Sequence, residues 1–193
     1  SLSGPPDTLG YAFGLHRAGD TAGAFIGLAI AALVIYFTQQ GATQLNRATF
    51  QTIVLISIIP ALLAVLVLAA FSNEVKVAKK SNLPAFSLKG LDRRFKLFLL
   101  ASILFTLGNS SDSFIILRGQ ERGLNLLQVM GMLLTFNAVY TILSGPLGAL
   151  SDKLGRRKLI FTGWLFYALV YLGFSLSQSG AHVWALFGLY GVY

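Results

Sequence analysis

The sequence predicts an all-α integral membrane protein, and three observations lead to this fold class. Of its 193 residues, 55% are hydrophobic and 11% are charged, whereas a soluble domain keeps about 25% of its residues charged. Apolar runs of about 18 or more residues recur, which is long enough to cross ~30 Å of hydrocarbon. The ~10-residue alternating segments of a transmembrane barrel are not seen. The spans are therefore predicted to be helices.

Six apolar segments follow one another along the chain. The first five extend over about 21–37, 52–71, 97–117, 126–150 and 159–176, and the sixth begins near Val183 and is incomplete. The N-terminal SLSGPPDTLG contains neither an initiating methionine nor a signal peptide, and the C-terminal FGLYGVY lies within an apolar run. We therefore expect the chain to be an internal part of a longer protein.

Basic residues alternate between the two sides of the predicted spans. Three of the fifteen cations, Arg47, Arg118 and Arg122, lie in one set of connections. The other twelve lie in the opposite set: Arg17, Lys76, Lys79, Lys80, Lys89, Arg93, Arg94, Lys96, Lys153, Arg156, Arg157 and Lys158. Because cytoplasmic loops are enriched in Lys and Arg, the larger set is expected in the cytoplasm. The same bias accounts for the net charge of +8, so the expected partner is a lipid bilayer and not nucleic acid.

The connection over residues 72–96 is the longest and the most basic. It contains Pro84 and Gly90 and carries seven cations against Glu74 and Asp92. This composition is typical of a solvated cytoplasmic linker, with contact to anionic lipid headgroups as an alternative. We expect residues 1–71, with two transmembrane helices, to end one bundle. Residues 97–193, with three helices and an incomplete fourth, are then expected to begin a second bundle.

A short charged stretch, GALSDKLGRRKLI at residues 148–160, separates the fourth and fifth segments. It resembles the signature loop of the major facilitator superfamily, Gly-x-Leu-Ala-Asp-Arg-x-Gly-Arg-Lys, with Ser151 and Lys153 replacing the alanine and the arginine. The resemblance implies a bundle of twelve helices in two halves, of which this chain is similar to helices five to ten. It also implies a permease in the plasma or inner membrane, with a small-molecule solute, no enzymatic activity and no cofactor.

The same resemblance implies roles for the residues of the signature loop: Gly148, Asp152, Lys153, Gly155, Arg156 and Arg157. Asp152 is expected to lock the two halves in one transport state by docking at the start of helix five, here Arg17 to Gly23. Asp20 would then lie within reach of Arg156 or Arg157. Physically, glycine permits a tight turn, and a helix N-terminus attracts a carboxylate. The alternative is that the cations only set the topology and Asp152 only adds solubility.

Polar residues inside the spans are candidates for a cavity or a coupling site, since they are costly in hydrocarbon. The third span places Ser102, Thr106, Asn109 and Ser113 on one helical face, with Asp112 beside them. Asp112 is a candidate proton or cation site. The alternative is that it pairs with Arg118 or Arg122 and holds the helix end.

The fourth span contributes two further polar candidates, Asn137 and Tyr140. By the family resemblance, Asn109, Asn137 and Tyr140 are candidate cavity-lining residues. Interhelical hydrogen bonding is the alternative for each of them.

The first span contains Gly19, Gly23 and Gly27, a small-residue stripe that would allow close helix packing.

The function expected overall is secondary active transport by alternating access, with proton-coupled efflux of a drug or metabolite as one form and uptake by symport as another. A receptor or scaffold that does not transport is the alternative from a different class. Neither His16 nor His182 has neighbours at metal-ligand spacing, so no metal site is expected. We expect the full-length protein to be a monomer.

Overall fold

The computed structural model describes residues 9–71, 90–109 and 111–193, and within these ranges the chain forms helices and no strands. Most of the predicted linker, 72–89, lies outside the described residues. The helices are α1 Leu9–Thr38, α2 Arg47–Phe71, α3 Arg93–Gly108, α4 Asp112–Glu121, α5 Leu126–Leu154, α6 Arg156–Leu176 and α7 Gly180–Tyr190.

Five stretches of helix are long and apolar enough to cross a membrane: Tyr11–Thr38, Arg47–Phe71, Arg93–Glu121, Leu126–Leu154 and Arg157–Leu176. Helix α7 has 11 residues, fewer than the ~20 that a span requires. The all-α fold class and the first five apolar segments are therefore confirmed. The chain is a multi-pass membrane protein.

The first span begins earlier than the sequence predicted. Helix α1 starts at Leu9, whereas Arg17 and Asp20 were interpreted as residues preceding the span. Both charged residues lie inside the helix, where Arg17 reaches a side chain of α5. A charged residue ends a span only when it has no partner within the bundle, and a single sequence does not show the partner. Helix α3 likewise begins at Arg93, inside the predicted linker.

The third span is interrupted near its middle. Asn109 leaves the helical conformation at φ −80° and ψ 113°, and Ser111 caps a new helix by accepting a hydrogen bond from the Ser113 amide at 3.3 Å. The predicted polar stripe is thus divided between α3 and α4. Ser102 and Thr106 donate to carbonyl groups of their own helix, so their hydroxyl groups need no partner across the bundle.

Helices α5 and α6 are separated by a single residue. Helix α5 starts with a capping box between Asn125 and Gln128 and continues through Asp152 to Leu154. Gly155 then takes φ +88°, a conformation that a residue with a Cβ rarely adopts. The sequence predicted a turn at Gly148 as well, and this was wrong because Gly148 lies inside α5. The tight turn belongs to Gly155 alone.

The buried core joins α4, α5, α6 and α7. Phe187 and Met132 are fully buried in it, and Phe136 stacks on Tyr190 with ring centroids 5.4 Å apart. The cluster comprises Ile115, Leu124, Val129, Met132, Tyr167, Val170, Phe174, Val183, Phe187 and Tyr190. Every member lies in the second predicted bundle or in the loop between its helices.

The first two helices attach to this core through α1. Helix α1 packs antiparallel along α5, and α2 packs on α1, where Thr38 and Thr49 share a hydrogen bond of 3.1 Å. At the far end of α1, the Leu126 amide donates to the Ala42 carbonyl at 3.0 Å. Most of the α2 surface is exposed and apolar, as expected for a helix in contact with lipid.

Replacing Phe187 with alanine should lower the free energy of unfolding. Phe187 is 0% exposed, so the change leaves a cavity worth about 3 kcal/mol, near the lower end of the range for aromatic residues because lipid adds little hydrophobic driving force. The matched control is Leu176→Ala, because Leu176 is 70% exposed. Unfolding of the purified protein in detergent measures both, and equal losses in the two variants would contradict the assignment of the core.

Candidate functional site

Helices α1 and α5 meet along a line of three contacts, which we call the α1–α5 seam. From one end to the other they join Tyr11 to Asp152, Gly14 to Ser144, and Arg17 to Tyr140. The residue numbers rise on α1 as they fall on α5, so the helices are antiparallel. The seam therefore connects the first predicted bundle directly to the second.

Asp152 binds the first turn of α1. Its Oδ2 accepts a hydrogen bond of 3.1 Å from the backbone N–H of Tyr11, the third residue of the helix. The first four N–H groups of a helix have no partner within it, and they carry the positive end of the helix dipole. Asp152 thus caps α1 from a different helix.

The position of Asp152 on its own helix is electrostatically unfavourable. It lies in the last turn of α5, where the dipole is negative and a cation such as the neighbouring Lys153 is preferred. The N-terminus of α1 compensates for this cost. The Asp152 carboxylate is therefore stabilised by the dipole of α1 and not by that of its own helix, α5.

Gly14 allows the two helices to touch at the next position of the seam. It is buried, and a Cβ there would overlap the backbone oxygen of Ser144 and lie 3.3 Å from the Cα of Gly145. Neither Tyr11 nor Gly14 was predicted from the sequence as a site residue. The available signal was that Gly14 and the pair Ser144 and Gly145 are all small residues on helices of opposite direction.

Within the described part of the chain, the predicted small-residue stripe does not pack closely against another helix. A Cβ added at Gly19, Gly23 or Gly27 would meet nothing within 4 Å in the part of the chain that the structure describes. The four-residue spacing indicated a stripe correctly, but spacing does not show which turn of the stripe meets another helix.

Arg17 crosses the seam to Tyr140. Its Nε donates to the Tyr140 hydroxyl at 3.0 Å, and the guanidinium carbon lies 5.8 Å from the centre of that ring. His16 directly precedes Arg17 and Asp20 lies about one turn after it, and the His16 Nδ1 and a carboxylate oxygen of Asp20 are 3.7 Å apart. The two expected gate partners are therefore engaged differently, since Arg17 bonds to Tyr140 and Asp20 faces His16.

The remaining residues of the signature stretch surround the Asp152 cap. Gly148 lines the cavity between α1 and α5, whereas Lys153 and Arg157 are exposed at the junction of α5 and α6. Arg156 begins α6, and its side chain lies outside the described part of the structure. The expected approach of Asp20 to Arg156 or Arg157 stays a prediction.

A second polar group holds the break between α3 and α4. Asn109 accepts a hydrogen bond of 2.6 Å from the Tyr167 hydroxyl, and Oδ1 of Asp112 accepts one of 3.3 Å from the Tyr190 hydroxyl. The rings of Tyr167 and Tyr190 are themselves 5.9 Å apart. The two ends of the break are thus bound to α6 and α7, and Asn109 makes the interhelical bond that one alternative predicted.

The alternative for Asp112, a pairing with Arg118 or Arg122, is not seen among the described residues. Arg118 instead bonds to Glu121 at 3.2 Å. The physical reason is the break, which makes Asp112 the first residue of α4 and turns it towards Tyr190. A carboxylate in the first helical turn is also favoured by the helix dipole.

Asn137 satisfies its amide within its own helix. It is buried, and its Nδ2 donates to the Leu133 carbonyl at 2.9 Å.

Among the described residues, no group of three or more His, Cys, Asp or Glu side chains converges as a metal site would require.

The spans, the buried bundle and the polar seam define a class: a helical multi-pass membrane protein in which two groups of helices meet along one antiparallel pair. The chain belongs to the Major Facilitator Superfamily, whose family model matches residues 2–192. It is 33% identical to an uncharacterised MFS-type transporter of Methanocaldococcus jannaschii over 193 residues, which cover 97% of this chain and 46% of that relative. The chain thus spans about half the length of the curated relative that it matches. No solved structure matches it.

Gly14→Ala and Gly19→Ala should change stability in opposite directions. The first places a methyl group against the Ser144 backbone and forces α1 and α5 apart, at a cost of about 1–3 kcal/mol. The second meets open space, and alanine stabilises a helix by up to about 1 kcal/mol relative to glycine. Thermal unfolding in detergent compares the two. A Gly14→Ala variant as stable as Gly19→Ala would show that the seam is not tightly packed.

Proposed function

We propose that this chain forms the central part of a secondary active transporter that moves a small solute by alternating access. Membership of the superfamily and the MFS-type transporter name of the relative support this proposal. By the resemblance to helices five to ten, α1 belongs to the first half of the bundle and α5 to the second half. A contact between them is then a contact between the two moving halves.

The observation that carries the proposal is the cap that Asp152 forms on α1. A carboxylate at a helix N-terminus contributes about 0.3–1 kcal/mol, and up to about 2 kcal/mol when it is partly buried. About 1.4 kcal/mol of preference shifts a two-state equilibrium tenfold. One such cap is strong enough to bias a transporter towards one state and weak enough to open in each cycle.

The other residues of the seam fit the same cycle. The bond from Arg17 to Tyr140 is a second contact that separation of the halves would break, which agrees with a gate role for Arg17. We place the Asp152 end of the seam in the cytoplasm, because Lys153, Arg157 and Lys158 lie beside it and cytoplasmic loops are rich in cations. The membrane is then the plasma or inner membrane.

Coupling to protons through Asp112 is the second part of the proposal. Asp112 lies at the break of a helix that crosses the membrane, and its hydrogen-bond partner is a hydroxyl group of another helix. A change in its protonation would alter this bond and could release α4 from α7. Proton-coupled efflux and uptake by symport both use such a group, so Asp112 does not determine the direction in which the solute is transported.

The partners proposed are the lipid bilayer, one small solute and protons, with the full-length protein acting as a monomer. Neither a nucleic acid nor an enzymatic reaction belongs to the proposal. A membrane receptor or scaffold on the same fold is the alternative, and it would tolerate the loss of both Asp152 and Asp112.

Asp152→Asn should open the cytoplasmic end of the seam. Removing the charge weakens the cap on α1, so a cysteine placed at Ser144, which lines the cavity between α1 and α5, should react several-fold faster with a membrane-impermeant maleimide from the cytoplasmic side. The chain contains no native cysteine to interfere. Lys158→Gln is the matched control, since it removes an exposed charge six residues after Asp152 in the same stretch. Equal labelling of all three proteins would rule out the latch.

Asp112→Asn should abolish coupled accumulation of the solute in cells that express the full-length protein. A panel of drugs and metabolites is screened for accumulation that depends on the wild type, with and without a proton uncoupler. The expected result is one solute whose gradient is lost in the variant and in uncoupled cells. Glu121→Gln, which removes an acid paired with Arg118, should keep the gradient. Wild-type accumulation in Asp112→Asn would leave Asp112 with a structural role only.

A further inference from the structure

The α1–α5 seam borders an open cavity next to the Asp152 cap. Its volume is about 450 Å³, within the range of roughly 300–1,000 Å³ typical of small-molecule sites. Arg17, Asp20 and His16 line it from α1, and Tyr140 lines it from α5. Arg17 lies six residues beyond Tyr11 on α1, so the cavity extends about 9 Å further into the membrane than the cap.

Arg17 enters this cavity without an anionic partner. Its Nε donates to the Tyr140 hydroxyl, and among the described residues its four other N–H donors make no hydrogen bond. Asp20 is near enough to act on Arg17 through space but forms no ion pair with it, because its carboxylate lies against His16. A guanidinium group within a membrane span is costly unless an anion or a polar group compensates it.

The geometry of Arg17 suits a carboxylate. Tyr140 orients the guanidinium plane by a hydrogen bond to Nε, and the terminal nitrogens are left to form two parallel bonds to one planar anion. The cavity holds one permanent cation and one carboxylate, Asp20, so a ligand with a single negative charge is favoured over one with two.

The rest of the cavity favours an apolar body on the same ligand. Phe13, Leu143 and Leu147 line it beside Arg17. A second cavity of about 610 Å³ shares Leu147, Leu159, Val192 and Tyr193 with the first and adds Trp164 and Phe166. The two cavities together offer a charged end and an aromatic end.

We propose that the α1–α5 cavity binds an organic monocarboxylate, with the carboxylate on Arg17 and the apolar body directed towards Trp164. This inference rests on the proposed transport function, because it makes the ligand a substrate of the same protein. Since Arg17 and Tyr140 belong to helices assigned to different halves, the ligand would contact both halves at once.

Equilibrium binding of benzoate to the full-length protein tests the proposal, with nanodiscs of phosphatidylcholine and isothermal titration calorimetry. We expect benzoate to bind, and the uncharged isostere benzamide and inorganic phosphate to bind at least tenfold more weakly. Arg17→Gln should weaken benzoate binding tenfold or more, and Arg17→Lys, which keeps the charge but not the planar fork, should weaken it less. Arg47→Gln removes a cation outside the cavity and should bind as the wild type does.

Two results would overturn the assignment. One is benzoate binding that is absent from the wild type or unchanged in Arg17→Gln. The other is loss of benzoate binding when phosphatidylglycerol replaces half of the lipid, which would assign Arg17 to an anionic lipid headgroup. The measurement needs no gradient and no transport. A protein that fails it while Asp152→Asn still opens the seam is a transporter of a different solute, so the two proposals fail separately.

Discussion

The antiparallel contact between α1 and α5 is the constraint on which the rest of the structure depends. In the described part of the chain, α1 packs on the core of α4 to α7 mainly through this contact, and α2 packs mainly on α1. The contact combines a close approach at Gly14 with a carboxylate that caps the first turn of α1. The close approach at Gly14 packs the two helices together. The cap favours their antiparallel orientation, because a helix dipole attracts a carboxylate at the N-terminal end only.

Side-chain hydrogen bonds between distant helices lie at the seam and at the break near Asn109. The core around Phe187 and Met132 is apolar, whereas the seam combines close packing at Gly14 with the hydrogen bonds of Asp152 and Arg17. The break near Asn109 is held by hydrogen bonds from Tyr167 and Tyr190. An apolar core in lipid is stabilised by many small contacts and resists separation as a unit. A contact built on one or two hydrogen bonds can open at a cost of about 1–2 kcal/mol each.

The sequence predicted the candidate site only in part, and the residues show why. Asp152 was found because its glycines and cations form a recognisable stretch, but its partner was expected near Arg17 and lies at Tyr11. Tyr11 binds Asp152 through its backbone N–H, which every residue except proline possesses. The identity of its side chain therefore does not reveal this contact in the sequence. Arg17 was assigned to a loop because charge alone suggested water, and its bond to Tyr140 spans 123 residues of sequence.

The sequence by itself determined the membrane class, the existence and order of the first five spans, and the family to which the chain belongs. These properties follow from the lengths of the apolar segments and from one contiguous motif, and both can be read directly from the amino-acid sequence. Only the tertiary structure decided which turn of α1 meets α5, that the third span breaks at Asn109, and that Asp112 faces Tyr190. Each of these depends on a neighbour distant in sequence, because burial and hydrogen-bond partners arise only when the helices pack.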